Sequence, residues 1–168
     1  KTLVKTEPHR LDEAQFILSM ASAMDEELAD LALAAKPDVF RGWNAGDEFI
    51  SGINPSSPAM LKKMLDNGLD SHAPNYMGAT HLHLCAWRNE PEMATLLLEA
   101  GANVNALDFE YHATPLAFAA MRGHEAMVGY LLDHGADPRI PTDAPWAQPT
   151  ACAERYGHDV IIKRLQKK

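Results

Sequence analysis

Between Gly78 and Gly135 the chain writes one pattern twice, 34 residues apart. Thr80 returns as Thr114, Leu82 as Leu116, Ala86 as Ala120, Arg88 as Arg122, Met93 as Met127 and Gly101 as Gly135. A fixed period of this length constrains the fold more than any composition figure. Each unit is too short to bury its own apolar face, so successive units must stack on one another. Function on such an array belongs to an extended surface and not to a closed pocket.

Local signals divide each unit into two helices. Thr80 and Thr114 are expected N-caps, their hydroxyls accepting from a backbone N–H two or three residues on. Pro115 suits the first helical position, where a missing N–H costs nothing. A short apolar helix follows in each case (Leu82, Leu84, Cys85, Ala86; Leu116, Phe118, Ala119, Ala120), broken at Asn89 or Gly123. The second helix carries Met93, Leu96 and Leu97, or Met127, Tyr130 and Leu131, and stops at Gly101 or Gly135. Upstream, Ser57-Pro58 marks a helix start, and Met60, Leu61, Met64 and Leu65 give it one apolar face before Gly68 stops it. Residues 70–77 are expected to be extended and polar. Pro138, Pro141 and Pro145 keep 138–147 out of a helix. The last unit keeps Gly157-His158 in phase with Gly123-His124 and ends on Lys163, Arg164, Lys167 and Lys168, as a polar terminal cap should. At the other end, residues 1–10 are expected to be a frayed arm. Two helices follow between Leu11 and Lys36, and then a glycine-rich loop with at most a short helix over Asp47–Ile53.

These residues resemble the ankyrin repeat family. Gly78-Ala79-Thr80-His81-Leu82-His83-Leu84-Cys85-Ala86 and Thr114-Pro115-Leu116-Ala117-Phe118-Ala119-Ala120 follow its opening pattern. Leu97-Leu98-Glu99-Ala100-Gly101-Ala102-Asn103-Val104-Asn105 and Leu131-Leu132-Asp133-His134-Gly135-Ala136-Asp137 follow its closing part. The resemblance implies an all-α ankyrin-repeat solenoid of stacked helix-turn-helix units joined by hairpin-like loops. It would form a single domain over 11–168, with units at about 11–39, 40–72, 73–105, 106–139 and 140–168. It gives His83 a framework role, bonding across to a neighbouring repeat, and places His124 and His158 at the turn between paired helices. The sequence ending at Asn105 is also similar to the one hydroxylated in animal ankyrin proteins.

The residues themselves argue against chemistry. Fifteen basic against 23 acidic residues give a net charge of −8, which disfavours nucleic acid and anionic membranes as partners. No apolar run is long enough for a membrane span. Two cysteines, Cys85 and Cys152, are too few for a disulfide framework and suit a reducing, cytoplasmic compartment. Both fall on first helices, where a buried thiol is inert. His81 and His83 lie about 200° apart around a helix and cannot share a metal. No nucleophile elbow, phosphate loop or paired-carboxylate arrangement occurs, so neither a catalytic residue nor a cofactor is expected.

The resemblance implies a non-enzymatic module that binds a partner protein on its concave face and finger tips, and a monomer is expected. The residues before each first-helix break are Trp87-Arg88, Met121-Arg122 and Arg155-Tyr156; the finger tips carry Tyr76, Phe109-Glu110-Tyr111 and Trp146. Aromatics, Met and Arg are the types enriched at interface centres. Packing of Tyr111 and Trp146 onto an adjoining finger is the plain structural alternative. Two rival functions are an accessory part of a larger enzyme or effector, suggested by the absent initiator Met and the unmatched residues 1–10, and a scaffold that self-associates through its caps.

Overall fold

The computed structural model describes residues 33–34, 57–75 and 77–167. The expected arm at 1–10, the first unit apart from Leu33 and Ala34, the loop and short helix expected between 40 and 56, and Tyr76 lie outside the described residues.

Seven α-helices form among the described residues: α1 (Pro58–Asp66), α2 (His81–Arg88), α3 (Pro91–Glu99), α4 (Pro115–Met121), α5 (Glu125–Asp133), α6 (Pro149–Arg155) and α7 (Asp159–Leu165). Their starts follow the expected chemistry. Ser57 Oγ accepts from the Met60 N–H at 3.1 Å, and Thr114 Oγ1 from the Ala117 N–H at 3.2 Å; each such cap contributes about 1 kcal/mol. Thr80 adds a further contact: its backbone N–H donates to His83 Nδ1 at 3.0 Å, and its hydroxyl lies 3.0 Å from the same nitrogen. The helices end as expected too, with Asn89 (φ 60) and Gly101, Gly123 and Gly135 all left-handed.

α2–α3, α4–α5 and α6–α7 are antiparallel pairs, and α1 stands where the second helix of a preceding pair belongs. First helices pack on first helices, α2 on α4 and α4 on α6; α1 packs on α3 and α5 on α7. The core lies between the two layers, with Leu61, Met64, Leu82, Leu97, Leu116, Met127 and Leu131 fully buried. Helix α4, enclosed on both sides, buries every residue from Pro115 to Ala120. Its three alanines let the flanking helices approach closely.

Side chains stitch each unit to the next. His83 Nδ1 is occupied as an acceptor, so Nε2 carries the proton and donates to the Ala113 carbonyl at 3.1 Å. His124 Nε2 donates to the Trp87 carbonyl at 3.0 Å and His158 Nε2 to the Met121 carbonyl at 3.1 Å. Asn105 spans the next seam, accepting from the Asp137 N–H at 2.8 Å and donating to the Gly135 carbonyl at 3.3 Å.

Among the described residues the fingers are turns and not strands; one antiparallel bridge, Pro74 to Thr80, closes the first. In that finger the buried Asn75 Oδ1 accepts from the N–H groups of Met77 and Ala79. In the next, the buried Asp108 carboxylate accepts from Glu110, Tyr111 and Ala113. The second finger is one residue longer between these anchors and turns through His112 at φ 53. The segment expected to be free of helix between 138 and 147 contains one 3-10 turn, Pro145–Ala147. Gln148, standing at the cap position of α6, instead donates its side-chain amide to the carbonyls of Arg139 and Pro141.

Candidate functional site

The 34-residue period that stacks α2 on α4 also aligns their surfaces. Leu84 and Trp87 are three residues apart on α2, and Phe118 and Met121 repeat that spacing on α4, so each pair shares a helix face. Tyr156, just after α6, continues the row. Met77 from the first finger, with Glu110 and Tyr111 from the second, closes the space above these helices. The result is a groove of about 270 Å³, lined mostly by apolar atoms.

Phe118 is its floor, 8% exposed. Trp87 stands over it at 67° with ring centroids 5.8 Å apart, and Tyr111 at 76° and 6.2 Å. The His83 ring packs against Phe118 at 75°, with centroids 5.1 Å apart. The framework bond of His83 and the position of the groove floor are therefore mechanically linked. Arg122 lies over Trp87, its Cζ 4.7 Å from the ring centroid, a cation–π contact at the rim. The negative charge of the adjacent Glu110 carboxylate holds the Tyr111 phenol above its ordinary pKa. Beside the groove, Glu110, Tyr111 and Met121 also line a smaller recess of about 150 Å³ with Trp146 and Arg155.

The structure thus brings Trp87, Glu110, Tyr111, Met121 and Tyr156 together around one groove, and Trp146 and Arg155 around its neighbour. Arg122 joins through Trp87. Arg88 is exposed at the end of α2 but lines neither space. Met121 is half-buried, because α4 is enclosed on both sides. Phe109 is 75% exposed yet occupied: its N–H donates to the Met77 carbonyl at 2.7 Å, and a Cβ on Gly78 would overlap its ring. It ties one finger to the next. Tyr111 packs against Phe118 of its own unit. Three lining residues were missed in the sequence: Met77, Leu84 and Phe118. The last two read as core because they share a register, and only stacking shows that this register opens on the groove.

Both thiols are buried. Burial pushes Cys85 up to about 12 and raises Cys152 as well, so neither is a nucleophile near neutral pH. Burial lowers the pKa of His83. Among the described residues no group of three or more His, Cys, Asp or Glu side chains is placed to hold a metal ion, and no helix is long and apolar enough to cross a membrane.

Comparison with known proteins agrees with this architecture. A family model described as ankyrin repeats (3 copies) matches residues 51–142, more than half the chain. Human B-cell lymphoma 3 protein is 39% identical over 67 residues, which make up 38% of this chain and 15% of that protein's length. With the repeat visible in its sequence and its helices paired and stacked in phase, the chain belongs to the ankyrin repeat family.

Proposed function

We propose that the chain is a non-enzymatic protein-binding module whose partner lies across the first-helix face and the finger tips. Ankyrin repeats generally serve as protein–protein interaction modules. The observation that carries the reading here is the groove: three exposed aromatic side chains, Trp87, Tyr111 and Tyr156, gather over the core ring of Phe118. Exposed aromatic surface on a helical stack costs solvation and marks an interaction site. On this reading Arg122 at the rim, Arg155 in the neighbouring recess and Arg88 outside both would meet carboxylates or carbonyls of the partner, and Phe109 and Trp146 would extend the contact along the tips.

The test is capture of proteins by the chain as bait, compared with a Trp87→Ala/Arg122→Ala double variant of matched thermal stability. A protein held by the wild type and released by the folded double variant supports the reading. Equal retention by both places the contact elsewhere, and a double variant that fails to fold makes these residues structural.

A further inference from the structure

We propose that the groove is an aromatic box for a methylated ammonium group, and that its occupant is a methylated lysine side chain of the partner protein. This deepens the protein-binding reading and rests on it.

The geometry comes first. Trp87 and Tyr111 rise at 67° and 76° from the Phe118 floor, with centroids 5.8 and 6.2 Å from it, so two walls stand nearly square to a base. Tyr156 supplies a fourth ring. Four aromatic rings thus line one space, and a cation within about 6 Å of a ring centroid is attracted by the ring quadrupole. The contact of Arg122 with Trp87, at 4.7 Å, already shows one of these rings accepting a cation.

Charge comes second. Glu110 is the one charged residue among those lining the groove, and its backbone N–H, bonded to the buried Asp108 carboxylate at 3.0 Å, fixes it in the finger beside the rings. Over a longer range, the net charge of −8 draws basic segments toward the chain. Arg122 and Arg155 are near the site but line the rim and the neighbouring recess.

The chemistry of the lining selects the methylated form. A free lysine ammonium carries three N–H donors and is strongly hydrated. The groove replaces that water with one carboxylate, two phenols, and otherwise apolar and aromatic surface, so unmatched donors would be costly. N-methylation removes donors while keeping the charge. A volume of about 270 Å³ admits a trimethylammonium head with the methylenes behind it.

The test titrates the whole chain with three probes, followed by the Trp87 indole N–H resonance: N-acetyl-trimethyllysine methylamide, its neutral isostere bearing a tert-butyl head, and unmodified N-acetyl-lysine methylamide. The expected order is trimethyllysine first, about tenfold tighter than the neutral isostere, with unmodified lysine weakest. Glu110→Gln, an exposed change, should reduce the preference about threefold and leave the isostere's affinity alone. Equal binding of the isostere overturns the box and leaves a plain apolar anchor site, with the protein-binding reading intact. No response to any probe also overturns it. Ammonium binding in a chain that captures no partner through this face would instead sink the protein-binding reading.

Discussion

His83, fully buried in α2, donates to the carbonyl of Ala113 thirty residues on while its ring packs nearly perpendicular to Phe118. One imidazole therefore joins a helix of one unit, the finger of the next and the floor of the groove. Replacing it with alanine leaves the Thr80 N–H without its partner, takes one of two donors from the Ala113 carbonyl (the Asp108 N–H remains) and opens a void. The expected cost is about 2–4 kcal/mol, measured by urea unfolding.

The same residue gives stability a pH dependence of known sign. Burial holds the folded pKa of His83 below its ordinary 6.5, so the unfolded chain takes up the proton first. Its contribution is complete above about pH 6.5 and is lost as pH falls below that value. The difference between wild type and His83→Gln, followed from pH 7.5 to 5, isolates the effect. The stability gap should narrow on acidification.

Asp108 anchors the second finger through three backbone N–H groups at 2.8–3.0 Å and is 1% exposed. Asp108→Ala should cost about 2–4 kcal/mol and loosen Glu110 and Tyr111 together. Asp108→Asn should cost about half as much, since Asn75 does the same work for the first finger with a single amide oxygen. Chemical denaturation of both variants gives the comparison.

Cys85 and Cys152 should resist thiol reagents in the native state at pH 8. A thiol pushed up to about 12 holds almost no thiolate there, and both sulfurs are buried. Reaction with an aromatic disulfide reagent should be slow in buffer and rapid for both thiols in urea. Prompt labelling of the folded chain would contradict the packing of α2 and α6.

Two glycines should respond in opposite ways to alanine. At Gly78, φ is +79 and a Cβ would overlap both the ring and the backbone of Phe109, so Gly78→Ala should destabilise by about 1–3 kcal/mol. Gly129 sits inside α5 with ordinary backbone, and the three nearest atoms a Cβ there would meet all belong to the guanidinium of Arg164. That head can swing away, losing an exposed 3.4 Å bond to the Glu125 carbonyl. Gly129→Ala should be neutral or stabilising by up to about 1 kcal/mol, read from thermal midpoints.

The helix boundaries were legible because their chemistry is local. Ser57-Pro58 and Thr114-Pro115 carry their own start signals, and Asn89 and Gly123 their own stops. The finger anchors were not legible: Asn75 and Asp108 differ in identity and sit in loops of unequal length, so no period links them. Several proposed contact residues were legible as types out of place, such as Trp87 and Tyr156. Their meeting with Phe118 and Tyr111 required knowing that α2, α4 and the second finger converge, which follows from stacking and not from spacing. Arg88 shows the limit in the other direction, since its register matches Arg122 but it lines neither the groove nor the neighbouring recess.

The groove takes its lining from three successive units: Leu84 and Trp87 from α2, Phe118 and Met121 from α4, and Tyr156 after α6. An occupant would therefore lie across two seams at once, acting as a clasp between units that otherwise touch only their immediate neighbours. By linkage, whatever fills the groove must also resist the separation of those units. Recognition and the cohesion of the array would then be read by one measurement.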